Sequence, residues 1–291
     1  FAAMGSCFSE VSGVVNIGIE GMMTIGAFVG ATVAHYTSLP WISFLCGGLA
    51  GAIFGALHAW ATVKLNADQT ISGTAINFLA PGVAILLARA LFNSSDTVPL
   101  GTEQKIPLLL NGAFPTNSAW GNFLKNTFTN YATTYLVFIA VLVVWFVFYK
   151  TRFGAHLRAV GEHPEACESL GIDVYKVRYT CVILSGFLAG MGGGFVTLAT
   201  INQFRPSVIV GQGFIAIAAV IFGKFSPEGA TKACLLFGLC SGIKSLASQS
   251  NMVSPNLISM IPYVVTIVAL VLFVGKAHTP AANGKIFVKS K

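Results

Sequence analysis

The chain has 291 residues, of which 55% are hydrophobic and only 9% charged, with a net charge of +7. A soluble domain carries about a quarter charged residues, so this composition excludes a water-soluble globular protein and leaves a polytopic membrane protein. The positive balance does not indicate nucleic acid, because the basic residues are not gathered into one patch with interleaved aromatics.

Runs of about 20 apolar residues have the length of a membrane-crossing helix, and the alternating ten-residue segments of a barrel are absent. The expected fold is therefore all-α, a single transmembrane helical bundle over 1–291. The sequence begins with Phe1 and shows no cleavable signal, and "FAAMGSCFSE" reads as the end of an earlier helix. Eight apolar segments follow, at 14–35, 41–64, 71–92, 131–149, 177–200, 208–223, 231–249 and 257–275. The first contains "GVVNIGIEGMM", where Gly13, Gly18 and Gly21 flank Asn16 and Glu20. Such a stretch reads as an interrupted helix, since irregular backbone at membrane depth is tolerated where it meets protein or a cavity.

Gly47, Gly51 and Gly55 recur every four residues, as do Gly186, Gly190 and Gly194, with single pairs at Gly26/Gly30 and Gly238/Gly242. Positions four apart share a helix face, and small residues there let backbones approach closely in lipid. Between the third and fourth segments, 93–130 is rich in Asn, Thr and Pro and reads as an external loop. With the 150–176 loop placed in the cytoplasm, 12 of the 17 basic residues fall inside, which also places the 276–291 tail there. A second interruption, "INQFRPSVIVGQGF", mirrors the first. Paired interruptions are the mark of carriers built from inverted-repeat-like halves with a central site.

Within the 150–176 loop, "PEACESLG" reads as a short helix, with Pro164 at its first position, Glu162, Glu165 and Glu168 near its start and Gly171 at its end. It serves either as a docking knob or as a solvated connector. The six cysteines lack metal-ligand spacing and read as small buried hydrophobes. No pair of histidines suits a metal, no Ser/His/Asp set is discernible, and no "GxxxxGK[ST]" occurs, so neither a catalytic residue nor a metal site is assigned. Glu20 and Lys244 are the two charges placed well within spans, where an unpaired charge costs about 3 kcal/mol. Asn16, Asn77, Asn202, Gln203 and Gln212 offer hydrogen bonds for hydroxyls and base edges, and Phe78, Phe204 and Phe214 offer stacking faces. Each phenylalanine reads first as lipid contact or core packing, and Asn16 and Glu20 either line a path or brace the broken helix.

Taken together, "GVVNIGIEGMM", "GAHLRAVGEHPEACESLGI", "LSGFLAGMGGGFVTL" and "GQGFIAIAAVIFGKFSPEGA" resemble the permease subunits of bacterial ABC importers of the branched-chain amino acid, ribose and nucleoside group. The likeness is greatest to nucleoside (simple sugar) permeases and covers nearly the whole chain. It implies a multi-pass protein of the bacterial cell membrane, moving nucleosides inward by alternating access; ribose or branched-chain amino acids are the alternatives. It also implies a second like permease, a cytoplasmic ATPase that binds ATP and Mg, and an extracellular substrate-binding protein; the chain itself needs no cofactor. In this family a Glu-Ala-Ala, three residues, Gly pattern forms the coupling helix. Glu165, Ala166, Cys167 and Gly171 keep that spacing, with Glu162, His163 and Pro164 leading in and Cys in the third place. The Ile-x-Leu-Pro that follows in many importers is missing. A proton-coupled secondary carrier using Glu20, and a purely structural membrane protein, are the competing classes.

Overall fold

The computed structural model describes residues 1–92, 96–109, 125, 128–249 and 279–288, without the side chains of 244–249. The expected segment 257–275, most of the 93–130 loop and the Lys244 side chain lie outside the described residues. Among those described, α1 (Ala2–Val11), α2 (Ile19–Thr37), α3 (Pro40–Ala59) and α4 (Gln69–Leu91) come first. After the 93–130 region follow α5 (Ala132–Lys150), α6 (Arg152–Glu162), α7 (Pro164–Ser169), α8 (Val174–Phe195), α9 (Gln212–Phe222) and α10 (Pro227–Gln249).

Among the described residues, four stretches are long and apolar enough to cross a membrane: Pro40–Lys64, Gln69–Leu91, Ala132–Lys150 and Val174–Ile201. Local chemistry sets their starts. Pro40 occupies a first-turn position, where a missing N–H is harmless. The Asp68 carboxylate accepts from the Ile71 amide at 2.9 Å and caps α4, and Asp173 accepts from Lys176 at 3.1 Å and caps α8. Two stretches finish in π turns, Trp60–Lys64 and Val196–Ile201, the kind of irregularity that recurs at functional sites. Outward-facing Leu142, Val143 and Phe146 on α5, and Leu45, Leu49 and Ile53 on α3, form an apolar exterior suited to lipid or to another membrane subunit.

The bundle is built around α8. Its glycines meet those of α3 and α2 directly, so the two stripes read from the sequence lie against each other. A Cβ on Gly190 would fall 2.3 Å from the Gly47 carbonyl oxygen, and one on Gly26 would fall 2.4 Å from the Gly190 Cα. Gly194 instead rests on the Phe44 ring, while a Cβ on Gly238 or Gly242 would meet nothing within 4 Å among the described residues. Every residue of α1 is buried, and this helix packs against α8, α9 and α10. Far from being a frayed terminus, "AAMGSCFSEV" is core.

At one end, β1 (Val98–Pro99) pairs antiparallel with β2 (Gln203–Phe204), and the Ile106 amide donates to the Leu198 carbonyl at 3.1 Å. The start of the long loop is thus stitched to the second interruption. At the other end lie α6, α7 and the 279–288 segment. The α6 helix was read from sequence as loop; its Gly154, Leu157, Val160 and Gly161 form one buried face, with His156 and Arg158 exposed.

Candidate functional site

Between α1 and α2 the backbone leaves helical geometry over residues 12–18, which frees amides and carbonyls in an apolar interior. An unmet backbone group there costs several kcal/mol, and side chains from α1, α3 and α4 meet them. Val15 N–H donates to the Gln69 amide oxygen at 2.7 Å, and Asn16 N–H donates to Glu10 at 3.2 Å. The Asn77 amide donates to the Ile17 carbonyl at 3.0 Å while its oxygen accepts from Gly21 N–H at 2.8 Å. His58 closes the set. Since Val15 O only accepts, Nε2 at 3.1 Å must carry the proton, so Nδ1 accepts from the Ser72 hydroxyl at 2.9 Å.

Asn16 is fully buried, and its amide donates to Ser185 Oγ at 3.0 Å. It therefore braces α1 and α2 against α8. Glu10, His58 and Gln69 were not singled out from the sequence, although each is a buried polar side chain in an apolar neighbourhood. That is the signal that would have found them. Truncating Asn77 to alanine leaves both the Ile17 carbonyl and the Gly21 amide unmet, and should cost about 2–4 kcal/mol. Thermal unfolding in detergent would register this as a clear drop in Tm, with Asn77→Asp keeping only the acceptor half.

Residues 202–211 form the second break. Asn202 ends the π turn in the left-handed region at φ 60°, and Gly211 precedes α9 at φ 75°. Phe204 is fully buried, edge-on to Phe28 with ring centroids 5.3 Å apart, so it packs the core and presents no stacking face. The Gln203 amide oxygen, turned toward Arg205, accepts from its Nε at 2.8 Å. Phe78 is 78% exposed on the outer side of α4, and Phe214 is half exposed. These aromatic and amide groups do not converge on one cavity. Gln212 lines a cleft of about 450 Å³ that also holds Met23, Phe195, Phe237 and Ser241, and Gln203 lines a separate one of about 540 Å³ with Thr97, Arg205 and Ser207.

Glu20 joins the two breaks. It lies in the first turn of α2, and its carboxylate oxygens accept from Gly211 N–H and Gly213 N–H, each at 2.6 Å. Those amides belong to the N-terminus of α9, where free N–H groups and the helix dipole favour an anion. Gly213 makes the approach possible, because a Cβ there would sit 2.6 Å from the Glu20 Cα.

At the other end, α7 stands out as a small knob. Pro164 opens it and His163 precedes it. Cys167 turns inward, and burial pushes its thiol pKa up. Glu165, Ala166 and Leu170 face outward, Leu170 with 81% exposure. Gly171, at φ 79°, reverses the chain, and the Ile172 amide returns to the Cys167 carbonyl at 3.0 Å, satisfying the helix end. The 279–288 segment clasps the base of this knob. Ala281 N–H donates to the Glu162 carboxylate at 3.3 Å, and Ala282 N–H to the Gly161 carbonyl at 2.8 Å. Asn283 donates to the buried Glu10 at 2.9 Å, and the buried Arg178 donates to the Lys285 carbonyl at 3.1 Å.

A broken-helix membrane bundle with a protruding helical knob is an architecture for transport, and the comparisons agree. The family model of the branched-chain amino acid transport system / permease component matches residues 1–270. The chain belongs to this permease family. The permease is 40% identical to the nucleoside ABC transporter permease protein NupC of Lactococcus lactis subsp. cremoris, over 100% of this chain and 93% of that protein. It is also 40% identical to the guanosine ABC transporter permease protein NupQ of Bacillus subtilis, over 99% of this chain and 92% of the relative. No solved structure matches it.

Proposed function

We propose that this chain is the membrane-spanning subunit of an ATP-driven importer of nucleosides. The observation that carries the reading is the likeness, over essentially the whole chain, to two permeases named for nucleoside and guanosine transport. The structure adds a mechanical rationale. A rigid knob at α7, clasped at its base and continuous with α6 and α8, passes displacement from a partner into the bundle as rigid-body motion.

In this reading α7 seats in a cytoplasmic ATP-binding subunit, which holds ATP and Mg. A second permease completes the path, and a substrate-binding protein delivers solute at the opposite face. The 150–176 loop and the 276–291 tail then lie in the cytoplasm, as the Lys/Arg distribution favours. A proton-coupled carrier working through Glu20 is disfavoured, because both carboxylate oxygens are already engaged by backbone amides.

Uptake in proteoliposomes containing the permease with its cognate subunits tests the reading. Guanosine accumulation that requires ATP is the expected result; accumulation driven by a proton gradient without the ATPase subunit would overturn it. A ligand screen on the cognate binding protein decides between nucleosides and the sugar or amino acid alternatives.

A further inference from the structure

Two features of this permease meet at a single side chain. The first break ends where α2 begins, with Glu20 in the opening turn, and the second break ends where α9 begins, with Gly211 before it. A helix N-terminus carries unpaired N–H groups and partial positive charge. In carriers with broken helices such ends face the solute or a coupling ion. Here the α9 end holds the chain's own carboxylate, by two amides at 2.6 Å each, while the same carboxylate lies within the first turn of α2. The Thr24 hydroxyl donates to the Glu20 backbone carbonyl at 2.9 Å, which further fixes that turn. Across the contact, the absence of a side chain at Gly213 lets the two helix starts touch.

We propose that Glu20 is a positioning residue for translocation, a built-in anion that pins the N-terminus of α9 to that of α2 and so keeps the two breaks moving as one unit. The reason lies in connectivity. The first break is braced to α1, α3 and α4 through Glu10, His58, Gln69 and Asn77, whereas the second is tied to the 96–109 stretch through β1 and β2. Glu20 spans the two sets. A glutamine cannot replace it, because its NH₂ would face one of the two backbone donors and leave that amide unmet.

The transport readout rests on the nucleoside-importer reading, and the amide-exchange readout does not. In the assembled importer, Glu20→Gln should lower Vmax for guanosine about tenfold with KM within about twofold, as expected when a conformational step is slowed and solute contact is kept. Hydrogen exchange at residues 211–214 should accelerate about tenfold. Gly213→Ala, which keeps the glutamate in the chain but crowds its backbone and carboxylate and forces the helix starts apart, should reproduce both effects. In Glu20→Ala, added formate should restore part of the lost Vmax by refilling the amide pair. Wild-type exchange and wild-type Vmax in Glu20→Gln or Gly213→Ala would overturn the proposal. So would a KM raised about tenfold at unchanged Vmax, which would make Glu20 a solute contact. If the wild-type complex moves no guanosine, the nucleoside reading fails, and exchange at 211–214 still decides the pin.

Discussion

Replacing Gly51 by leucine should prevent the bundle from forming. A Cβ at this position would lie 2.2 Å from the Gly186 carbonyl oxygen and 2.7 Å from the Gly190 Cα. Both are backbone atoms of α8, so no rotamer change relieves the clash and the two helices must separate. Separation breaks the seam on which α2 also rests, since a Cβ on Gly47 would meet the Gly26 carbonyl oxygen at 2.7 Å. Overpacking where side chains can yield costs about 1–3 kcal/mol, and a backbone collision at the centre of three helices should exceed about 4 kcal/mol. That is a large share of the total stability of a domain, typically about 5–15 kcal/mol. The check is monodispersity and thermal unfolding of the purified permease in detergent. Gly82→Ala serves as the control, because a Cβ there meets nothing within 4 Å among the described residues.

The second large effect concerns α7. Leu170 projects from the knob with 81% exposure, beside the exposed Glu165 and Ala166. Burying a leucine against a partner contributes about 2 kcal/mol, which corresponds to about thirtyfold in Kd. Leu170→Asp should therefore weaken binding of the ATP-binding subunit by at least about thirtyfold while leaving insertion and thermal stability unchanged, as its side chain is largely exposed. Titrating the purified ATP-binding subunit against the permease in nanodiscs measures this, and an unchanged Kd would remove α7 from the docking surface. Cys167 is the counterpart on the inner face, where truncation to alanine should lower stability and spare affinity.

Several features were legible in the sequence because they rest on local rules. Apolar runs of spanning length, the Pro164 start and Gly171 stop of α7, and the two interruptions all follow from composition and backbone preference over a few residues. The fourfold glycine spacing likewise marked faces of close approach. What spacing left open was the identity of each partner, and the folded chain sets the α3 stripe on the α8 stripe, whereas a Cβ on Gly238 or Gly242 would meet nothing within 4 Å among the described residues. The α6 helix is hidden in the sequence by its arginines and histidine, which give it the charge of a loop, although its buried positions keep a three-and-four rhythm.

The candidate site was read less completely, and for a physical reason. Asn16, Glu20 and Asn77 stood out as polar groups in apolar runs, yet a side chain in a span reads the same whether it faces a solute path or a broken backbone. Only the tertiary structure decides, by placing Asn77 on Ile17 and Gly21, 60 and 56 residues away, and Glu20 on Gly211 and Gly213, 191 and 193 residues away. Phe204 shows the converse: an aromatic next to polar residues, buried against Phe28 because β2 turns it inward. The sequence by itself determined a helical membrane bundle with two broken helices and a capped knob between spans, since these depend on hydrophobic length and local backbone chemistry. Which groups satisfy the breaks, and that one carboxylate joins them, depends on contacts between residues far apart in the chain, and these exist only once the helices have packed.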